Sequence, residues 1–476
     1  MYEMSAPFVG GVMRTDGGRA TLPVLDPWDD ARIGSITLAS VDDLDDALTA
    51  ADRGFRHWRH VSAWDRGVVL KRVADLLRVE SDRLAAVLTA EQGKVLREAK
   101  AEVGAAAEVF DWAGEEGKRA YGRVIPGRSA NRHLFASREP VGPVVAFTPW
   151  NFPLVLPARK VATALAAGCS VILKPSEETP RTAIELALLC YRAGLPEDCL
   201  SVVFGDPSAI AERLVASSVI RKASITGSIR AGRAVAMLCG QHLKKCTLEL
   251  GGHAAAGIFA DVDPVRAADA LAAAKFRNAG QVCVAPSRFF VHEAIHAPFV
   301  ERMAEIAGAL RVGPGNGTET DMGPLANGRQ RDSIARGIED ALARGASLVT
   351  GGKRVGDHGN GYRPTVLTDV PDDADIMQIE PFGPVVPITK FTGMEEFVLR
   401  ANALSYGLAA TVFTGNLAIA RWTASNLEVG MVGINDTAFG LPETPVCGVK
   451  DSGYGHEGGS EGLGDHLVTK FVNELF

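Results

Sequence analysis

The stretch VGPVVAFTPWNFPLVLPARKVATALAAGCSVILKP, residues 141–175, sets the fold class. Two short runs, GPVVAF and SVILK, are apolar on both faces, and between them PARKVATALAAG repeats its apolar residues at helical spacing. Strands without polar alternation, joined through a helix, are what a parallel sheet covered on both faces requires. Downstream, TPRTAIELALLCYRAG reads as a helix, LSVVFG as a strand, AIAERLVAS as a helix, and KASITG as a strand running into the helix IRAGRAVAMLC. The pattern is a doubly wound α/β domain. Such sheets bind ligands beyond the carboxyl ends of their strands, where the loops TPWNFP, KPSEET and TGSIRAG fall.

Upstream, Val41 to Glu102 is helical text, with Ser40 and Ser62 as N-cap signals. Residues 124–137 mix Arg, Asn and His with apolar positions and suit an exposed strand pair on the surface or at a subunit contact. From Thr247 to Gly440 a second strand–helix alternation follows (SRFFVHEA, HAPFVERMAEIAGAL, ASLVTGG, VVPITKF, AATVFTG), and a glycine-rich tail ends in HLVTKFVNEL. No internal repeat or low-complexity linker separates these parts, so the domains are expected to pack closely.

With 476 residues the chain is too long for one core, and about 150 residues per domain suggests three. The balance of 50 Lys+Arg against 57 Asp+Glu leaves a net charge of −7 without basic blocks, which disfavours nucleic acid and anionic membranes as partners. MYEMSAPFVGG lacks a basic, then apolar, leader, and no window reaches about 18 uninterrupted apolar residues, so a soluble, cytoplasmic protein acting on a small molecule is expected. Seven cysteines, mostly in apolar surroundings, fit reduced thiols, and no His/Cys spacing suggests a metal. Glycine, at 51 residues, is about 11% of the chain against a usual value of about 7%, implying tight turns and close backbone approaches.

Four segments can carry chemistry. Cys283 in FRNAGQVC follows small residues that present a thiol at a turn, where neighbouring N–H groups are expected to lower its pKa; a buried core thiol is the alternative. Glu249 in LELGG ends an apolar strand beside two glycines and could act as a general base on water, or be a solvated strand-end carboxylate. Asn151 in TPWNFP could donate to an oxyanion or simply form a turn. In TGSIRAG, Gly227 and Ser228 place amide groups at a helix N-terminus where a pyrophosphate could sit, and Lys174 and Glu177 in KPSE could bond ribose hydroxyls or form an exposed ion pair.

Taken in order, TPWNFP, KPSE, ITGS, LELGG, FRNAGQVC, DMGPL, EPFGPV, YGLAA and GVKDSGYG resemble the NAD(P)-dependent aldehyde dehydrogenase superfamily over nearly the whole chain, from EQGK near Glu91 to the C-terminal EGL segment. The resemblance implies an α/β, aldehyde dehydrogenase-like fold: two doubly wound, Rossmann-like domains plus a small β oligomerisation element. Residues 1–118 and 141–248 would form the NAD-binding domain, 249–440 the catalytic domain, and 119–140 with 457–476 the oligomerisation element of a homodimer or homotetramer. It implies Cys283 as nucleophile, Asn151 and the Cys283 N–H as oxyanion donors, and Glu249 as the base that hydrolyses a thioester. It further implies Thr148, Pro149, Trp150, Lys174, Ser176, Glu177, Gly227, Ser228, Glu380 and Phe382 as cofactor contacts. A carboxylate at Glu177 would repel a 2′-phosphate, which favours NAD, with NADP as the alternative.

Arg159 and Arg277 match two arginines that in succinate-semialdehyde-type members converge on the substrate's distal carboxylate, which a guanidinium fork suits. A carboxylate-bearing semialdehyde is therefore the expected substrate, with neutral aldehydes or other chain lengths as alternatives. A CoA-acylating dehydrogenase is disfavoured because such members usually lack the base. The chain departs from the family pattern at Leu441, which leaves the chain length of the substrate open, and at Val446, Cys447 and His456.

Overall fold

The computed structural model describes residues 5–15 and 18–476; residues 1–4 and 16–17 of the expected cofactor domain lie outside them. The apolar runs after Pro140 lie side by side in the order Lys245–Leu250, Lys222–Gly227, Val144–Phe147, Val171–Lys174 and Leu200–Val202, all parallel. Val144–Phe147 and Val171–Lys174 are buried at every position, which is why their text shows no alternation. Short antiparallel strands, Gly453–Tyr454 at one end and Phe8–Val9 with Val12–Met13 at the other, complete eight strands. The Val144 strand comes first in the chain, so the winding reverses between it and the Lys222 strand. Open α/β sheets bind their ligands at such a reversal, here beyond Phe147 and Gly227.

The expected close of the cofactor domain at residue 248 needs correction. The strand runs on to Leu250, with Thr226 opposite Glu249 and Gly227 opposite Leu250 still in register. The parallel ladder supplies partners for these last two residues, so the crossover falls in residues 251–254. Ala255 then opens a second sheet, ordered Ser347–Thr350, Thr365–Thr368, Val385–Phe391, Arg288–His292, Ala255–Ile258, Ala409–Phe413 and Met431–Ile434, parallel except at its first edge. The carboxyl edge of the first sheet therefore faces the amino edge of the second across a four-residue connection.

Four helices, Val41–Trp58, Ala63–Val79, Ser81–Gln92 and Leu96–Glu116, buttress the first sheet. Ser40 caps the first in a capping box with Asp43, and Ser62 accepts the Asp65 amide at 3.1 Å, caps of the kind worth about 1 kcal/mol each. Leu70, Val103 and Phe110 pack from them into one core with Leu165 of the helix Val155–Ala167. The strand pair expected at 124–137 forms as Arg123–Ile125 and Arg132–Pro140, joined antiparallel by Leu467–Leu475. Of the C-terminal segment expected with it, the part before Leu467 instead carries the helix Gly459–Asp465. Among the described residues no helix is long and apolar enough to cross a membrane.

Candidate active site

The loop before Cys283 has an unusual backbone: Asn278 (φ 50°), Ala279 (φ 52°) and Gly280 (φ 74°) are consecutively left-handed. Only glycine takes that region freely, and a Cβ on Gly280 would stand 2.2 Å from the Gly383 carbonyl oxygen. The other two are held by their surroundings. The Asn278 N–H donates to Glu98 at 2.9 Å, its side-chain amide to the Asn151 carbonyl at 2.9 Å, and Gln281 returns a bond to the Asn278 carbonyl at 3.0 Å. The loop delivers Cys283 among Val284, Phe439, Val446, Leu408 and Met431. The protein packed around the thiol pushes it up to about 12, with Glu380 and Glu249 adding and its own backbone N–H and Arg159 opposing. The expectation that turn amides lower this pKa is thus overturned: the N–H acts as foreseen, and burial outweighs it.

Glu249 stands at the end of its strand, 5% exposed. Burial raises its carboxyl well above the usual range, Glu457 adds by repulsion, and Lys160 and Arg159 oppose. Behind it lies a pair that sequence reasoning missed. Lys160 bonds Glu457 within the core, side chains 1% and 7% exposed, and reaches Ser224 Oγ at 2.9 Å. A lysine inside the apolar run PARKVATAL was the only signal, and its partner is 297 residues away. The glycines after Glu249 are required by space. A Cβ on Gly251 would stand 2.4 Å from Glu380 Oε2, and one on Gly252 2.9 Å from the Cys283 carbonyl oxygen.

Asn151 joins this group through its amide, which donates to the Gln281 carbonyl at 3.1 Å, two residues before Cys283. The Asn151 amide is thus tied to the Cys283 loop, and the Cys283 thiol feels the Glu249 charge. Lys275, also missed, is 1% exposed and near Glu380; burial brings its ammonium down to about 7 and lifts the Glu380 carboxyl to about 8.

The residues expected at a cofactor follow the carboxyl ends of the first sheet's strands, apart from Glu380 and Phe382 before the Val385 strand. Ser228 caps the helix Ile229–Gln241 by accepting the Ala231 amide. That helix lies so close to the Glu249 strand that a Cβ on Gly232 would stand 2.4 Å from Leu250 side-chain atoms. Thr148 follows the Val144 strand and bonds the Lys174 carbonyl at 3.1 Å. Lys174 pairs with Glu177 at 2.8 Å, Glu177 also accepts the Gly205 amide at 2.9 Å, and Ser176 Oγ accepts the Glu178 amide at 3.2 Å. Beyond Pro149, Trp150 meets Phe382 edge to face at 5.6 Å, so TPWNFP and EPFGPV touch. A helix N-terminus for a pyrophosphate, a Lys/Glu pair for a ribose, and Glu380 beside Gly251 fit a dinucleotide.

The two arginines are placed differently. Arg159 sits at the Cys283–Glu249 side, where burial lowers its pKa and Glu457, Cys283 and Glu249 oppose. Its Nη2 donates to the Gly440 carbonyl, and Nη1 has no protein acceptor among the described residues. Arg277 is exposed, its guanidinium 5.6 Å from the Phe152 ring centroid. Among the described residues no three His, Cys, Asp or Glu side chains cluster as a metal site.

The profile of the Aldehyde dehydrogenase family matches residues 13–472. The 4-(hydroxymethyl)benzenesulfonate dehydrogenase of Comamonas testosteroni is 42% identical over 473 residues, 99% of this chain and 98% of that one. The succinate-semialdehyde dehydrogenase [NADP(+)] of Escherichia coli (strain K12) is 37% identical over 472 residues, 99% of this chain and 98% of that one. Among solved structures, the succinate-semialdehyde dehydrogenase of Burkholderia pseudomallei superposes with a TM-score of 0.97 at 41% identity, covering 99% of this chain and 98% of that one.

Proposed function

The chain belongs to the aldehyde dehydrogenase family, and on that premise we propose that it oxidises an aldehyde carrying an anionic tail, carboxylate or sulfonate, with NAD preferred over NADP. The family's reaction is NAD(P)-dependent oxidation of an aldehyde. Cys283 is the nucleophile: its proton passes to solvent water, and Sγ attacks the carbonyl carbon to give the anion of a thiohemiacetal. The Asn151 amide and the Cys283 N–H hold the oxyanion, a preorganised pair worth most where charge develops. Ser228, Lys174, Glu177 and Glu380 would hold NAD, which would supply the hydride acceptor for oxidation of the adduct to a thioester. Glu249 takes a proton from water as its oxygen attacks the thioester carbon, and Cys283 leaves as thiolate. A carboxyl lifted by burial accepts that proton more readily than an exposed one.

The anionic tail rests on one observation: the half-buried Arg159 guanidinium feels the charges of Cys283 and Glu249, and its Nη1, shielded from solvent, has no protein acceptor among the described residues. An anion there would offset the desolvation of the arginine and use the free edge of its fork. Arg277 over Phe152 would meet the same tail from outside. The names of the Comamonas and Escherichia relatives carry a sulfonate and a succinate, which supports this class without choosing between them. Repulsion of a 2′-phosphate by Glu177 amounts to about 1–2 kcal/mol, softened by its pairing with Lys174. Exposed Phe471 and Leu475, on one face of the three-stranded sheet, would be covered in a dimer or tetramer.

An aldehyde panel tests the reading. NADH and NADPH formation is followed with succinic and glutaric semialdehydes, 4-formylbenzenesulfonate, butanal and benzaldehyde, with Cys283→Ala as the blank. The anionic aldehydes should exceed neutral ones of matched length in kcat/KM by about tenfold or more. Equal values across charge would reject the anionic tail. Full turnover by Cys283→Ala would reject the nucleophile.

A further inference from the structure

The segment that presents Asn151 is itself gripped by a buried ion pair that no step above uses. Gly93, left-handed at φ 88°, ends the helix Ser81–Gln92 and turns the next residue, Lys94, inward. Its ammonium meets Glu102 at 2.6 Å, both side chains 1% exposed. An ammonium carries three N–H groups. One goes to Glu102, a second to the Asn151 backbone carbonyl at 2.9 Å, and the charge lies 4.1 Å from the Phe152 ring centroid. The remaining Glu102 oxygen accepts the amides of Leu154 at 2.8 Å and Val155 at 3.1 Å. These are the first amides of the helix Val155–Ala167, which has no side-chain cap from Leu154. Residues 151–155 are thus held at both ends by one pair, Lys94 on the turn after Gly93 and Glu102 on the helix Leu96–Glu116.

Burying two charges is expensive, and apolar side chains of the same volume commonly stabilise a fold as well or better. What this pair supplies is position. We propose that Lys94 and Glu102 are positioning residues for the oxyanion donor: by fixing the Asn151 carbonyl and the helix start behind it, they aim the Asn151 amide at the oxyanion formed on the Cys283 adduct. Misplacement by about an ångström at such a donor can cost two orders of magnitude in rate. The inference rests on the roles given above to Asn151 and Cys283.

A double-mutant cycle on the full-length enzyme tests it. The charges are removed together in Lys94→Met/Glu102→Gln, because the glutamine oxygen can still accept the Leu154 and Val155 amides. The change is made in the natural chain and in Asn151→Ala. The NADH burst with succinic semialdehyde and butanal at saturating NAD is measured beside NAD affinity and the thermal melt. The burst should slow about 10- to 100-fold in the natural background and less than about twofold further in Asn151→Ala, with NAD affinity kept within about twofold. Should the double variant not fold, Glu102→Gln alone should give the same pattern at smaller amplitude. Equal losses in both backgrounds, or an unchanged burst, would overturn the proposal. Asn151→Ala bursting at the natural rate would instead refute the site reading itself, and the proposal with it.

Discussion

Replacing Arg159 by methionine keeps the apolar stem and removes the guanidinium. Two contacts are lost on paper: the bond from Nη2 to the Gly440 carbonyl, made whatever the substrate, and whatever Nη1 holds. If Nη1 holds the substrate's anion, one hydrogen bond between charged groups goes, worth about 1.5–3 kcal/mol, or about 10- to 150-fold in kcat/KM. That loss falls only on anionic aldehydes. Losing the Gly440 bond and the positive charge beside Glu249 slows every substrate, so the ratio of kcat/KM between succinic semialdehyde and butanal isolates the tail. Expected is a ratio lowered by about 10- to 150-fold, mostly through KM, with Arg159→Lys recovering part of it. A ratio unchanged within about twofold would show that Arg159 only anchors the loop at Gly440, and the anionic-tail reading would fall with it.

Glu249→Gln should keep a burst of one NADH per site and then stall, steady turnover falling about 10²- to 10⁴-fold; a linear trace at the natural rate would remove Glu249 as the base. The pH dependence follows from groups active without their protons and lifted by burial: the Cys283 thiol to about 12, the Glu380 carboxyl to about 8, and Glu249 above its usual range. The ascending limb of kcat/KM should therefore lie above about pH 7, and a plateau already reached by about pH 6 would contradict it. Gly280→Ala drives a Cβ to 2.2 Å from the Gly383 oxygen at φ 74°, where backbone meets backbone. It should destabilise the protein by about 2 kcal/mol or more and abolish the burst; a natural melt with full activity would show that the loop can move aside.

The order of motifs made the architecture legible, because unbroken apolar strands and their turn residues carry the doubly wound pattern locally. The break after the first sheet was misplaced because LELGG reads the same whether Glu249 ends one sheet or opens the next. Only the pairing with Thr226 and Gly227 decides. Lys94–Glu102, Lys160–Glu457 and Lys275 near Glu380 stayed hidden for another reason. A lone lysine among alanines looks like a surface residue until the chain is folded, and its partners lie up to 297 residues away. The thiol pKa was misjudged because sequence displays the donors around Cys283 and conceals the depth at which it lies.

The four-residue connection after Leu250 also governs how the molecule can move. It is a short tether of about 13–14 Å at full stretch, so the two sheets cannot separate there and can only swing. In a swing, displacement grows with distance from the pivot, and Glu249 stands two residues from it. Opening at the Lys174–Glu177 end, three strands from the Glu249 strand, would therefore leave the base nearly still against the thiol. In such a swing the geometry of attack would be kept at the fulcrum, and the travel would be taken up at the far end of the lever.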